Sequence, residues 1–184
     1  MNELQSIAVF CASSAGKEPK YLDLAAAVGR QLAEAKLTVV YGGSRNGMMG
    51  ALADGAIAAG GAVIGVIPEL LGGREIAHTG LTRLDRVSDM HERKMCMHGL
   101  SDAVLALPGG FGTLDELVEM ITWRQMDMHQ KPIALLNAFG YFDSLLAFFE
   151  HARGEGLIRD RDYPIFFASA DFDEILLHFK HALV

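Results

Sequence analysis

The sequence predicts a doubly wound α/β fold, in which a parallel sheet is covered by helices on both faces. Short apolar runs alternate with longer amphipathic ones along the 184 residues. Strands that are apolar throughout are those buried on both sides. Glycine-rich turns follow three of the apolar runs, at the sheet edge where folds of this class bind ligands. The arrangement is Rossmann-like.

In chain order, a first apolar run at 6–11 precedes an amphipathic stretch at 21–35. A strand at 38–41 leads to a helix at 50–59, and a further strand spans 62–67. Residues 70–80, rich in glycine and polar groups, read as a long connection, followed by a helix at 89–100. The pattern continues with a strand at 103–107, a helix at 113–126, a strand at 133–136 and a helix at 142–155. A short apolar run at 165–167 and a last helix at 171–182 complete it. No repeat, low-complexity tract or linker interrupts this order. One domain over 1–184 is therefore expected, large enough to bury about 70% of its unfolded surface without a metal or disulfide.

Composition narrows the function. A net charge of −7 and an isoelectric point near 5.4 argue against a nucleic-acid surface, and the longest apolar runs fall short of a membrane span. Cys11 and Cys96 are too few for a disulfide framework or a four-cysteine zinc site. With no basic-then-apolar leader at the start, a reducing cytoplasm is expected. The 51% hydrophobic content is high for so small a chain and suggests apolar surface covered by a second subunit.

Three loops and a helix carry the chemistry. After the first run, Cys11-Ala12-Ser13-Ser14-Ala15-Gly16 offers small hydroxyl residues that suit a phosphate or ribose, with Ser13 as the candidate contact; an ordinary capped turn is the alternative. After the second, Tyr41-Gly42-Gly43-Ser44-Arg45-Asn46-Gly47-Met48-Met49 has P-loop glycine spacing. Met48 and Met49, however, stand where a P-loop needs Lys and Ser or Thr, which excludes a Walker mechanism. Adjacent glycines after the second strand also fail the dinucleotide fingerprint. Gly43 is retained as a candidate contact in that loop. After the strand at 103–107, Pro108-Gly109-Gly110-Phe111-Gly112-Thr113-Leu114-Asp115-Glu116 turns into a helix, whose N-terminal N–H groups attract an anion such as phosphate. Glu116 then stands beside that grip, although Thr113 and Glu116 also fit a capping box. Leu114, Leu117, Val118 and Ile121 make a stripe expected to pack on the sheet. Glu116, Glu119, Met120 and Trp123 fall opposite and are expected to meet a ligand or second subunit. On the helix at 89–100, Met90, Arg93, Lys94 and Met97 share one face, mixing apolar groups with cations suited to a phosphate or acidic partner. His91, Cys96 and His98 lack zinc-site spacing, so no metal is expected.

The pattern P-G-G-x-G-T-x-x-E at 108–116, with Met90-His91-Glu92-Arg93-Lys94 upstream, resembles the LONELY GUY (LOG) family of cytokinin-activating phosphoribohydrolases, and the resemblance spans nearly the whole chain. It implies a Rossmann-like homodimer, without cofactor, that cleaves the N-glycosidic bond of adenosine 5'-monophosphate (AMP) or its N6-prenylated forms to free base and ribose 5-phosphate. It further implies Arg93 and Glu116 as the catalytic pair, Lys94 and Glu75 as substrate contacts, and 109–113 as the phosphate turn. Ala12 and Ser44 stand where many members have glycine. Members often carry the label "lysine decarboxylase", but no lysine here is marked as a pyridoxal phosphate anchor. A nucleotide-binding sensor without catalysis is the alternative from another functional class, and it requires only the glycine turns.

Overall fold

The computed structural model describes residues 4–69 and 76–183. A seven-stranded, wholly parallel sheet has the order β4-β3-β2-β1-β5-β6-β7. Its strands are β1 (Ser6–Phe10), β2 (Thr38–Tyr41), β3 (Val63–Pro68), β4 (Arg83–Val87), β5 (Ala103–Ala106), β6 (Ile133–Leu136) and β7 (Phe167–Ser169). The helices are α1 (Lys20–Glu34), α2 (Gly47–Ala58), α3 (Met90–Gly99), α4 (Phe111–Gln125), α5 (Asp143–Gly154) and α6 (Phe172–Ala182).

Successive strand residues point to opposite faces, and here both faces are dry. Ile7 and Val9 of β1 pack with α1, α2 and α6, through Leu32, Leu52 and Phe179. Ala8 and Phe10 pack on the other side with α3 and α4, through Met97, Leu117 and Met120. Burial on both sides explains why β1, β2, β5 and β6 read as unbroken apolar runs. The helices α1 and α2 approach closely at Gly29, where an added Cβ would lie 2.0 Å from the Leu52 carbonyl oxygen.

Several features depart from the sequence reading, among them α2, which begins at Gly47 and not at 50, and β7, which spans Phe167–Ser169 and not 165–167. Strand β4, Arg-Leu-Asp-Arg-Val, was not anticipated: it is an edge strand paired only with β3, from Ile64 opposite Arg83 to Pro68 opposite Val87. Edge strands tolerate charge, and Arg83 and Asp85 here pair with each other at 2.7 Å instead of advertising an apolar run. The helix α4 begins at Phe111, ahead of the expected Thr113. Its buried stripe is Thr113, Glu116, Leu117 and Met120, while Val118 is exposed. The expected assignment of Val118 to the sheet and Met120 to the outer face is thus corrected. The i, i+3, i+4, i+7 spacing is shared by both stripes, and close packing against β1 and β5 selects between them.

At the far end of α3, the His98 ring stands edge-on to Trp123 at 5.5 Å and 4.9 Å from His129. The Lys131 ammonium donates to the His98 carbonyl, and Arg124 donates to the Lys131 carbonyl at 3.0 Å. Burial, then the charges of Lys131 and His129, push the His98 imidazole down to about 4. Burial likewise lowers His129. The rings are therefore neutral in the fold, whereas in the unfolded chain they protonate below their ordinary value of 6.5. Between these limits the unfolded chain binds more protons, so stability falls as pH falls.

Two outcomes are expected. Thermal unfolding of Gly29→Ala shows a midpoint about 4–8 °C below the parent, from about 2 kcal/mol of overpacking. His98→Phe shows a smaller loss of midpoint than the parent between about pH 7 and about pH 5, because one proton-binding group of the unfolded chain is gone.

Candidate active site

The strand order reverses direction between β1 and β5, and loops leaving their carboxyl ends diverge to open a crevice. A cavity of about 220 Å³ lies there. The β1 loop contributes Cys11, Ala12, Ser13 and Ser14; the β2 side contributes Gly42 and Met49; α3 contributes Met90 and Arg93. The start of α4 supplies Gly110, Phe111, Gly112, Thr113 and Glu116.

Two helix N-termini reach this edge, and they are used differently. The first N–H groups of a helix have no intrahelical partners. In α2 those of Met48 and Met49 donate to the carbonyls of Ser14 and Ala12, both at 3.2 Å, and so shape the β1 loop. In α4 the first turn is Phe111, Gly112 and Thr113, and all three line the cavity. Gly110 is the residue before it and provides no side-chain cap. Thr113 is thus the third helical residue, not a cap, and the capping box is set aside. Its buried hydroxyl has no hydrogen-bond partner within the protein. Of the two helix starts, that of α4 is the one left open to the cavity.

One turn beyond Thr113, Glu116 faces Arg93, with Nη1 3.8 Å from Oε1. Only 5% of Arg93 and 7% of Glu116 is exposed. Asp89 fixes the start of α3 by accepting from the N–H groups of His91 and Glu92 at 2.8 and 2.9 Å. The next turn then carries Arg93 inward. Gly42 makes room for it: a Cβ there would lie 1.9 Å from Nη2 of Arg93. The guanidinium Nε is buried without a hydrogen-bond partner within the protein. Burial, reinforced by Glu116 and opposed by Arg93, pushes the neighbouring Cys11 thiol well up. Cys11 stays protonated and is no nucleophile.

Ser13, Met90, Arg93, Gly110, Phe111, Gly112, Thr113 and Glu116 come together as expected from sequence. Gly43 does not line the cavity: with φ of 77° it turns against Ile67 and Leu84, and its carbonyl accepts from the His78 N–H at 2.9 Å. Its neighbour Gly42 takes the expected place, and the Gly-Gly pair was the signal. Gly109 lines an adjoining cavity instead. Lys94 is also absent from the lining. Its ammonium bridges Glu119 at 2.9 Å and Asp115 at 3.2 Å, clamping α3 to α4. Burial opposes that charge, but the bonds to Glu119 and Asp115 outweigh it and hold the lysine above its usual value. Glu75 lies outside the described residues. Met120, expected to face a partner, is 1% exposed inside the core. Ser14 lines the cavity as one of the hydroxyl residues expected of that loop, whereas Cys11, Ala12 and Met49 carry no such signal in the sequence; they are small or apolar, and only the meeting of three loops reveals them. Among the described residues no cluster of His, Cys, Asp and Glu is arranged to hold a metal. Nor is any helix among them long and apolar enough to cross a membrane.

The profile of a family described as "Possible lysine decarboxylase" matches residues 49–179. A cytokinin riboside 5'-monophosphate phosphoribohydrolase of Rhodococcoides fascians is 49% identical over 84% of this chain and 78% of its own length. One of the same name from Arabidopsis thaliana is 45% identical over 85% of this chain and 72% of its own. Among solved structures, the molybdenum cofactor binding protein of Rippkaea orientalis superposes with a TM-score of 0.73 at 20% identity, covering 100% of this chain and 99% of that one. The molybdenum cofactor carrier protein of Chlamydomonas reinhardtii gives 0.71 at 20%, covering 98% of each. At that identity the likeness concerns the fold alone. The paired motifs, the site they build and identities of 45–49% to these relatives agree: the chain belongs to the LOG family of phosphoribohydrolases.

Proposed function

We propose that this protein hydrolyses the N-glycosidic bond of AMP and of N6-substituted adenosine 5'-monophosphates, releasing the free base and ribose 5-phosphate. The observation that carries this reading is the buried Arg93–Glu116 pair, one helical turn from the open N-terminus of α4. Phosphate at Gly110, Phe111, Gly112 and Thr113 places the ribose over Glu116. As the bond from C1' to the base nitrogen breaks, its electron pair leaves with the base and positive charge grows on the ribose. The Glu116 carboxylate stabilises that charge and orients the water whose oxygen bonds to C1'; that water gives up one proton as it adds and the departing base nitrogen gains one, so neutral base and ribose 5-phosphate are released. Arg93 remains protonated throughout, so it holds Glu116 in register and presents Nε to the substrate. The phosphate lies away from the breaking bond, and its binding energy serves positioning there.

The description "possible lysine decarboxylase" has less support. Pyridoxal chemistry begins from a lysine Schiff base, and no lysine is among the described residues lining the cavity. Lys94, buried nearby, has its ammonium committed to Glu119 and Asp115. We further infer a homodimer in the cytoplasm. Its support is the exposed Met95 on α3 and Val118 on α4, together with the unbridged Cys11 and Cys96. Light scattering that returns the mass of one chain counts against the dimer.

The deciding experiment incubates the protein with AMP, isopentenyladenosine monophosphate and adenosine, and separates base from ribose 5-phosphate by chromatography. Base is expected from the monophosphates and not from adenosine. Saturable nucleotide binding without release makes the protein a sensor instead. Glu116→Gln is expected to keep AMP binding and lose about 10²–10⁴ in kcat, and parental turnover removes Glu116 from the mechanism. Arg93→Ala should abolish turnover too, with circular dichroism confirming the fold because it strands a buried carboxylate. Gly42→Ala displaces the guanidinium and should lower kcat/KM by about 10–100-fold.

A further inference from the structure

Tyr141 lies outside the cavity and contributes nothing to the chemistry described above. Its hydroxyl donates to the Gly109 carbonyl oxygen at 2.7 Å. A trans peptide is planar, with its C=O and the following N–H directed oppositely. Holding the Gly109 carbonyl toward Tyr141 therefore turns the Gly110 N–H the other way. Gly109, Gly110 and Tyr141 line an outer cavity of about 190 Å³, and of the two glycines Gly110 alone also lines the cavity holding Arg93 and Glu116.

The peptide needs such a hold. Glycine on both sides leaves it freer to rotate than any other peptide, and Gly109 must be glycine because a Cβ would lie 2.0 Å from the Thr113 hydroxyl. Tyr141 itself is firmly placed. Its ring stands edge-on to Tyr21 at 5.8 Å and Phe142 at 5.2 Å. The turn before it is tied by Asn137, which accepts from the Phe142 N–H and donates to Asp143, both at 2.7 Å. Phe139 in that turn adopts a left-handed φ of 61°, a conformation maintained only where the surroundings demand it.

We propose that Tyr141 is a positioning residue for phosphate recognition: by anchoring the Gly109 carbonyl it aims the Gly110 N–H at the nucleotide phosphate, beside the N–H groups of Phe111, Gly112 and Thr113. The assignment rests on the proposed placement of phosphate at α4. It also gives the β6–α5 turn, remote from the glycosidic bond, a part in selecting phosphorylated substrates.

Tyr141→Phe tests it, since the substitution removes one oxygen and leaves both ring contacts. With AMP titrated in the Glu116→Gln background, which binds it without turning it over, and ribose 5-phosphate in the parent, calorimetry is expected to show each Kd raised about 5–10-fold by Tyr141→Phe. Adenosine, which lacks the phosphate, should bind the two proteins alike, and the thermal midpoint should fall by no more than about 4 °C. Unchanged Kd for both phosphorylated ligands overturns the proposal, and so does an equal loss for adenosine, which marks general loosening. A parent protein that binds AMP without releasing base defeats the glycosidase reading but leaves this comparison decisive. A parent that binds neither AMP nor ribose 5-phosphate overturns both.

Discussion

A guanidinium buried to 5% exposure organises the crevice of this protein. Arginine does not shed its proton, so removing it from water is costly unless an opposite charge and shaped surroundings receive it. Glu116 supplies the charge at 3.8 Å, Met90 adds a sulfur contact at 3.7 Å, and Gly42 supplies room. Asp89 sets where α3 begins, and hence which turn of the helix points inward. The same pair acts on Cys11, where the Glu116 charge adds to burial in keeping the thiol protonated.

Around that pair, polar groups are divided between structure and ligand. The N-terminus of α2 is spent on the β1 loop, to whose Ser14 and Ala12 carbonyls its N–H groups donate. The N-terminus of α4 opens into the cavity together with the unpartnered Thr113 hydroxyl and Arg93 Nε. Of two neighbouring cations on α3, Arg93 faces the cavity and Lys94 faces away from it, where Asp115 and Glu119 hold it. Successive helical residues point about 100° apart, which is enough to give adjacent cations separate duties. Tyr141 extends the division to a backbone peptide, whose carbonyl it engages from the scaffold side.

Much of this is legible in the sequence. Apolar runs revealed β1, β2, β3, β5 and β6 because parallel strands buried on both faces have no polar side to show. Strand β4 escaped notice for the opposite reason, since an edge strand with Arg83, Asp85 and Arg86 has neither an apolar run nor a clean alternation. The α4 stripe was misjudged because Leu114 and Val118 are as apolar as Leu117 and Met120, and periodicity alone does not choose between overlapping faces. Thr113 looked like a cap because its spacing to Glu116 fits that motif, whereas the helix had already begun at Phe111. Gly43 and Gly42 were indistinguishable in one dimension. One turns through positive φ, and the other lies under Arg93.

The sequence by itself determined the fold class and the three glycine-bearing loops at one edge of the sheet, because each is written in the period and spacing of one element. Tertiary structure alone decided that Arg93 meets Glu116 while Lys94 turns to Asp115 and Glu119. It alone decided that Gly42, not Gly43, makes room for the guanidinium, and that Tyr141 reaches back across the sheet edge to Gly109. These are contacts between elements distant in the chain. Their partners follow from how helices seat on a shared sheet, where close packing and the need to pair every buried charge admit few arrangements.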